Sequence, residues 1–181
     1  MDCEFSVELG VDDPTLSVPW RSPDGTIAYV DLRAEPGKIE RLAEVRKFPE
    51  LGEFLRAMNL SGSEFQTAKC DAWFDTLMDV DDEPYEATMK CASYVDIFFS
   101  GEGQLSGFAE QERLAREVVR RLRAAENLPA RVEVVLRRAF FEEHEGFYWT
   151  IYATGYGSDL ATSRKQWARS LRVLEHCLLS A

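Results

Sequence analysis

Apolar and polar positions alternate along 3–9, where Cys3, Phe5, Val7 and Leu9 share one face, and that period predicts a strand. The same alternation recurs at 26–33 (Ala28, Val30, Leu32), 64–76 (Ala68, Cys70, Ala72, Phe74), 85–99 (Met89, Cys91, Val95, Ile97), 131–141 and 147–156. Between these runs the period lengthens to that of a helix. It appears at Ile39, Leu42, Val45 and Phe48, then at Leu51, Phe54, Leu55 and Met58. Pro49 separates the two halves, so it kinks one helix or opens a second at its first position. Phe108, Leu114, Val118, Leu122 and Ala125 predict a helix ending near Glu126. Trp167, Leu171, Leu174 and Leu178 predict a last one over 162–180, opened by the capping-box pattern Ser163-x-x-Gln166. Pro14, Pro19, Pro23 and the Asp24-Gly25 turn predict an irregular connection over 14–25.

From residue 26 the elements run strand, helix, strand, strand, helix, strand. That order predicts an α+β fold: a mainly antiparallel sheet with helices on one face and a ferredoxin-like, split βαβ core. A strand precedes this core, and a strand and a helix follow it. The whole chain, 1–181, reads as a single domain. An internal duplication is expected, with half-repeats at 26–84 and 85–157. Tyr29-Val30-Asp31-Leu32 matches Tyr94-Val95-Asp96-Ile97, and Leu55-Arg56-Ala57 matches Leu122-Arg123-Ala124. Asn59-Leu60 matches Asn127-Leu128, and Ala72-Trp73-Phe74 matches Ala139-Phe140-Phe141.

In that arrangement the two Tyr-Val-Asp strands lie side by side. Tyr29, Asp31, Tyr94 and Asp96 then share the sheet face opposite the helices. Two carboxylates brought together can divide acid and base roles, because each raises the proton affinity of the other. Trp73, Tyr148, Tyr152 and Tyr156 join the same face and would make an aromatic surface suited to a partner or a flat ligand. The pattern leaves open whether Arg137 or Arg138 accompanies them. A hairpin centred on the acidic loop Asp79, Asp81, Asp82, Glu83 sets Cys70 opposite Cys91, both turned into the core as reduced thiols.

Charge narrows the partners. A net charge of −11, from 32 acidic against 21 basic residues, disfavours nucleic acid and suits a basic partner. No apolar run approaches a membrane span, and the start, with Asp2 and Glu4, lacks a secretory pattern. Four cysteines without a CxxC imply neither a zinc site nor a disulfide framework. A cytoplasmic setting is the expectation.

The remaining chemistry is sparse. Gly101, Gly103 and Gly107 lie between a strand and a helix, but the spacing departs from GxGxxG, lacks a lysine and carries Glu102. His144 among glutamates, solitary His176 and the acidic loop form no metal-ligand set, and no cofactor is implied. The expected function is a non-catalytic protein-binding module using the open aromatic face or the acidic surface. The alternative is a small-ligand sensor or enzyme built on Asp31 and Asp96. Self-association through the strand 147–156 is a further expectation.

Overall fold

The computed structural model describes residues 1–79, 82, 85–101 and 107–180. The Glu102 and Gly103 of the glycine loop, and Asp81 and Glu83 of the acidic loop, fall outside the described residues. The fold is α+β, with a mixed six-stranded sheet. The strands are β1 (Asp2–Glu8), β2 (Leu16–Val18), β3 (Phe65–Asp75), β4 (Met89–Phe99), β5 (Ala130–Phe141) and β6 (His144–Gly157). The α-helices are α1 (Ala43–Lys47), α2 (Pro49–Met58), α3 (Phe108–Ala124) and α4 (Leu160–Leu179), with a 3-10 turn at Pro36–Arg41. The sheet order is β1-β5-β6-β4-β3. β1 and β2 lie end to end along β5, both parallel to it, and the other pairings are antiparallel. No described helix is long and apolar enough to cross a membrane.

The largest departure from expectation is at 26–33, which is not a strand. Its bridge, between Ala28 and Arg21, is isolated and lies outside the sheet. Asp31 explains why: its Oδ1 accepts the backbone N–H groups of Arg33 and Ala34, both at 2.9 Å. A short carboxylate that captures the next backbone donors turns the chain and takes those donors out of any ladder. With that strand missing, the split βαβ order does not form, and β4 lies beside β6. Residues 16–18, expected to be irregular, add the short strand β2 instead.

The helix–strand–strand order is used twice, as α2-β3-β4 and α3-β5-β6, before α4 closes the chain. Three of the four repeated sequence pairs fall on corresponding pieces of these units. Leu55–Ala57 and Leu122–Ala124 end α2 and α3, and Ala72–Phe74 and Ala139–Phe141 lie in β3 and β5. The Tyr-Val-Asp pair does not correspond, because only its second copy is in a strand.

Smaller differences have local causes. Pro49 opens α2 at its first position, as one of its two expected roles required. α4 is capped by Asp159, whose side chain accepts from Thr162 N–H at 2.7 Å. Ser163 lies inside the first turn and donates to Leu160 O. The β3–β4 register sets Cys91 opposite Phe74 and Cys70 opposite Val95, with a bulge between Thr67 and Cys70. The two cysteines are therefore not cross-strand partners. β6 is flanked by β5 and β4, so the strand 147–156 offers no free edge for self-association.

All the longer helices cover one face. Cys91, Val95, Ile97, Val132, Val134, Leu136, Trp149 and Ile151 point into that core with Leu51, Leu55, Val118 and Leu174. The layer closes where α4 lies on β6. A Cβ built at Gly155 would come within 2.1 Å of the Trp167 backbone N and 2.5 Å of Ser163 O. At Gly157 it would meet Ser163 N at 2.6 Å. The missing side chains of these glycines let a helix backbone rest on a strand backbone. Trp167 fixes the contact, donating from Nε1 to Ser93 Oγ at 2.9 Å and meeting Phe48 edge-on at 5.6 Å.

Gly155→Ala forces backbone against backbone, which neither element can relieve by a rotamer change. It should cost about 3 kcal/mol or more, readable as a lower midpoint in thermal or urea unfolding. An exposed glycine with open space, Gly62→Ala, should leave the midpoint within the scatter of surface changes.

Candidate functional site

The sheet face away from the helices is only partly covered, and the ladder register arranges its side chains in rows across the strands. One row is Trp73, Ala92, Thr154, Arg131. The next is Asp71, Tyr94, Tyr152, Glu133, Glu4. Asp96, Thr150, Val135 and Ser6 follow, then Gln66, Phe98, Tyr148, Arg137 and Glu8, with small offsets caused by the bulge in β3.

Loops cover the two ends. At one, Leu16, Phe98, Ala139, Phe141 and Tyr148 form a second apolar cluster, with Val18, Trp20 and Ala68 packed against it. At the other, Tyr85 stacks on Tyr156 with ring centroids 4.0 Å apart. Asp82 accepts from Lys90 at 2.7 Å beside them. Between the covers Trp73, Tyr94, Tyr152 and Thr154 stay half-buried. The Tyr94 and Tyr152 rings lie 6.2 Å apart and tilted, within the range of favourable aromatic pairs.

A chain of hydrogen bonds crosses four strands beneath these rings. Thr150 donates from Oγ1 to Asp96 Oδ1 at 2.6 Å. Arg137 donates to Thr150 Oγ1 at 2.8 Å, and its guanidinium pairs with Glu8 at 2.7 Å. Asp96 is 5% exposed. Burial raises its carboxyl to about 6, against the opposing hydrogen bond from Thr150 and the charges of Lys69 and Arg137. Burial also raises Tyr94 to about 12, helped by Asp96 and Asp71, so its hydroxyl stays protonated at neutral pH.

Of the residues singled out from sequence, Trp73, Tyr94, Asp96, Tyr148 and Tyr152 all lie on this face. Tyr148 is 3% exposed, beneath the β2 end, and serves the second cluster. Tyr29 and Asp31 are placed differently. Both are held at the start of β3 by Gln66, whose Nε2 donates to Tyr29 Oη at 2.6 Å and Asp31 Oδ1 at 2.9 Å. Among the described residues Asp31 and Asp96 share no hydrogen-bond partner, and the charges that act on Asp96 are Lys69 and Arg137. Among the described residues, the acid on this face whose proton affinity is raised is thus Asp96, within its own network.

Arg137, not Arg138, joins the tyrosines: its guanidinium carbon sits 5.9 Å from the Tyr152 ring centroid. Thr150 was legible in the alternation of Tyr148 and Tyr152. Glu8 and Lys69 were not, because β1 reaches Arg137 through a parallel pairing far along the chain, and a bulge displaces Lys69 from simple alternation. Among the described residues, no group of three metal-ligating side chains comes together. No protein-family model, curated protein or solved structure matches this chain.

The folded-state affinity of Asp96 fixes a sign. Below about pH 4 the carboxyl is protonated in both states, and above about 6 it is ionised in both. Between these values the folded state keeps a proton that the unfolded chain has lost. Ionisation of Asp96 therefore costs the fold about 2–3 kcal/mol above pH 6, and the cost fades as pH falls toward 4. Asp96→Asn, which can still accept from Thr150, should raise the unfolding midpoint at pH 8 and give little gain at pH 4. A pH series of thermal melts on the two proteins reads the difference.

Proposed function

We propose that this chain is a non-catalytic binding module whose open sheet face docks a basic segment of another protein. The observation that carries this reading is the half-buried stripe of Trp73, Tyr94 and Tyr152 left between the two loop covers. Tyrosine, tryptophan and arginine are the side chains in which binding energy concentrates at protein interfaces. Charge supports the sign of the partner. Across this face Glu4, Glu8, Asp71, Asp75, Asp96 and Glu133 outnumber Lys69, Lys90, Arg131 and Arg137. The chain as a whole carries −11.

The buried polar chain beneath the stripe suits the role. Glu8, Arg137, Thr150 and Asp96 hold one another across four strands, so the rings above rest on a rigid base. A preformed surface loses less conformational freedom when a partner docks. The reading also places the protein in a reducing, cytoplasmic setting, which suits the free thiols of Cys3, Cys70, Cys91 and Cys177.

A photo-crosslinking side chain at position 152, with a control at exposed Glu110 on α3, tests the proposal in native lysate. The expected result is a protein crosslinked from 152 but not from 110, through a Lys/Arg-rich segment. That segment, purified, should bind the unmodified chain more weakly as salt rises. Trp73→Ala with Tyr94→Ala should weaken it at least tenfold. Equal crosslinking from both positions, or an acidic or apolar segment, would sink the reading.

A further inference from the structure

The segment between β2 and the 3-10 turn folds over the edge of β3 and encloses a recess of about 420 Å³. That is within the usual range for small-molecule sites. Hydrogen bonds hold the segment down, those from Gln66 to Tyr29 and Asp31 among them. Trp20 Nε1 donates to Ala68 O at 2.9 Å, and an Arg33 guanidinium nitrogen donates to Ser63 O and Phe65 O, both at 2.7 Å. The wall is largely apolar, from Val30, Leu32 and Leu55 together with the Trp20 ring. It is therefore a preformed, mostly hydrophobic recess at a strand edge, separate from the stripe except that Tyr94 borders both.

Its charges are unusual for this chain. Lys69, Arg21, Glu44 and Asp71 all line the recess. None of the four forms an ion pair among the described residues, although most half-buried charges elsewhere are paired, as Lys90 with Asp82, Arg137 with Glu8 and Arg164 with Glu50. Lys69 and Glu44 are half-buried, whereas Arg21 and Asp71 are exposed. The bulge between Thr67 and Cys70 accompanies this arrangement, and the Lys69 ammonium rests 5.0 Å from the Trp20 ring centroid. The two half-buried charges are of opposite sign and come from different elements, Lys69 beside the bulge of β3 and Glu44 on α1.

A ligand of one sign would satisfy one of these charges and leave the other unpaired. A ligand with a cation, an anion and an apolar body matches both charges and the wall. We propose that the recess binds a small zwitterion with an apolar side chain, of the amino-acid class. Its carboxylate meets the Lys69 ammonium and the Tyr94 hydroxyl. Its ammonium meets the Glu44 carboxylate, and its side chain lies against Leu32 and Leu55. Tyr94 Oη makes no hydrogen bond among the described residues, so its donor is free for this role.

Calorimetry on the full chain with three probes tests this. The probes are phenylalanine, N-acetylphenylalanine, which lacks the ammonium, and phenylalanine amide, which lacks the carboxylate. Phenylalanine should bind, with amide NMR shifts at Ala68, Lys69 and Tyr94, and each blocked probe should bind at least tenfold more weakly. Lys69→Gln should weaken phenylalanine at least tenfold and leave the amide unchanged. Glu44→Gln should do the reverse, weakening phenylalanine while leaving the N-acetyl form unchanged. Both residues lie on the surface side of the fold, and a far-ultraviolet spectrum confirms that each variant is folded. Equal binding of all three probes, shifts elsewhere on the molecule, or no binding of phenylalanine at millimolar concentration would each overturn the proposal. Tyr94 is shared with the stripe, but Lys69→Gln and Glu44→Gln leave Trp73, Tyr94 and Tyr152 in place, so this proposal and the protein-docking reading fail separately.

Discussion

The contact of α4 with β6 is the constraint on which the rest of the structure depends. Two glycines on β6 let the first turns of the helix rest directly on the strand, with Trp167 and Ser163 backbone atoms where side chains would otherwise stand. That approach brings Trp167 down between Phe48 and Ser93, and it aligns α4 with α2 and α3 over the same face. The helices then cover most of one side of the sheet, with Val7 of β1 left exposed at its edge. On the other side loops cover the two ends and leave Trp73, Tyr94 and Tyr152 half-buried between them.

On that second side, burial and charge are balanced rather than separated. Asp96 is held in a nearly dry position, where its ionised form is penalised, and the penalty is moderated by Thr150, Lys69 and Arg137. Arg137 is in turn anchored by Glu8 from the outermost strand. Removing one member of such a network leaves its neighbours buried without partners, which costs more than the pair contributes. The chain of four groups ties β1 to β4 across the sheet, and its Arg137 guanidinium also meets the Tyr152 ring.

The free edge of β3 is also managed. Trp20 and Arg33 take up backbone carbonyls at Ala68, Ser63 and Phe65, and Asp71 Oδ1 accepts the backbone N–H of Ala72 at 2.7 Å. An edge with its polar groups already occupied resists pairing with another strand. The same wrapping segment that blunts the edge creates the recess beside it, so protection and cavity arise from one feature.

Sequence periodicity alone determined the helices and the four long strands, because the apolar faces of amphipathic elements are a local property. It placed Trp73, Tyr94, Asp96, Tyr148 and Tyr152 on one face for the same reason. It misread 26–33, where alternation was present but Asp31 used its carboxylate to turn the backbone and Gln66 held the result. It also missed Glu8, Lys69 and the meaning of Gly155. A parallel pairing between residues more than a hundred positions apart, a bulge that shifts register, and the close approach of two backbones leave no periodic trace. Only the tertiary structure decided these, since each depends on which surfaces meet and not on what either segment prefers alone.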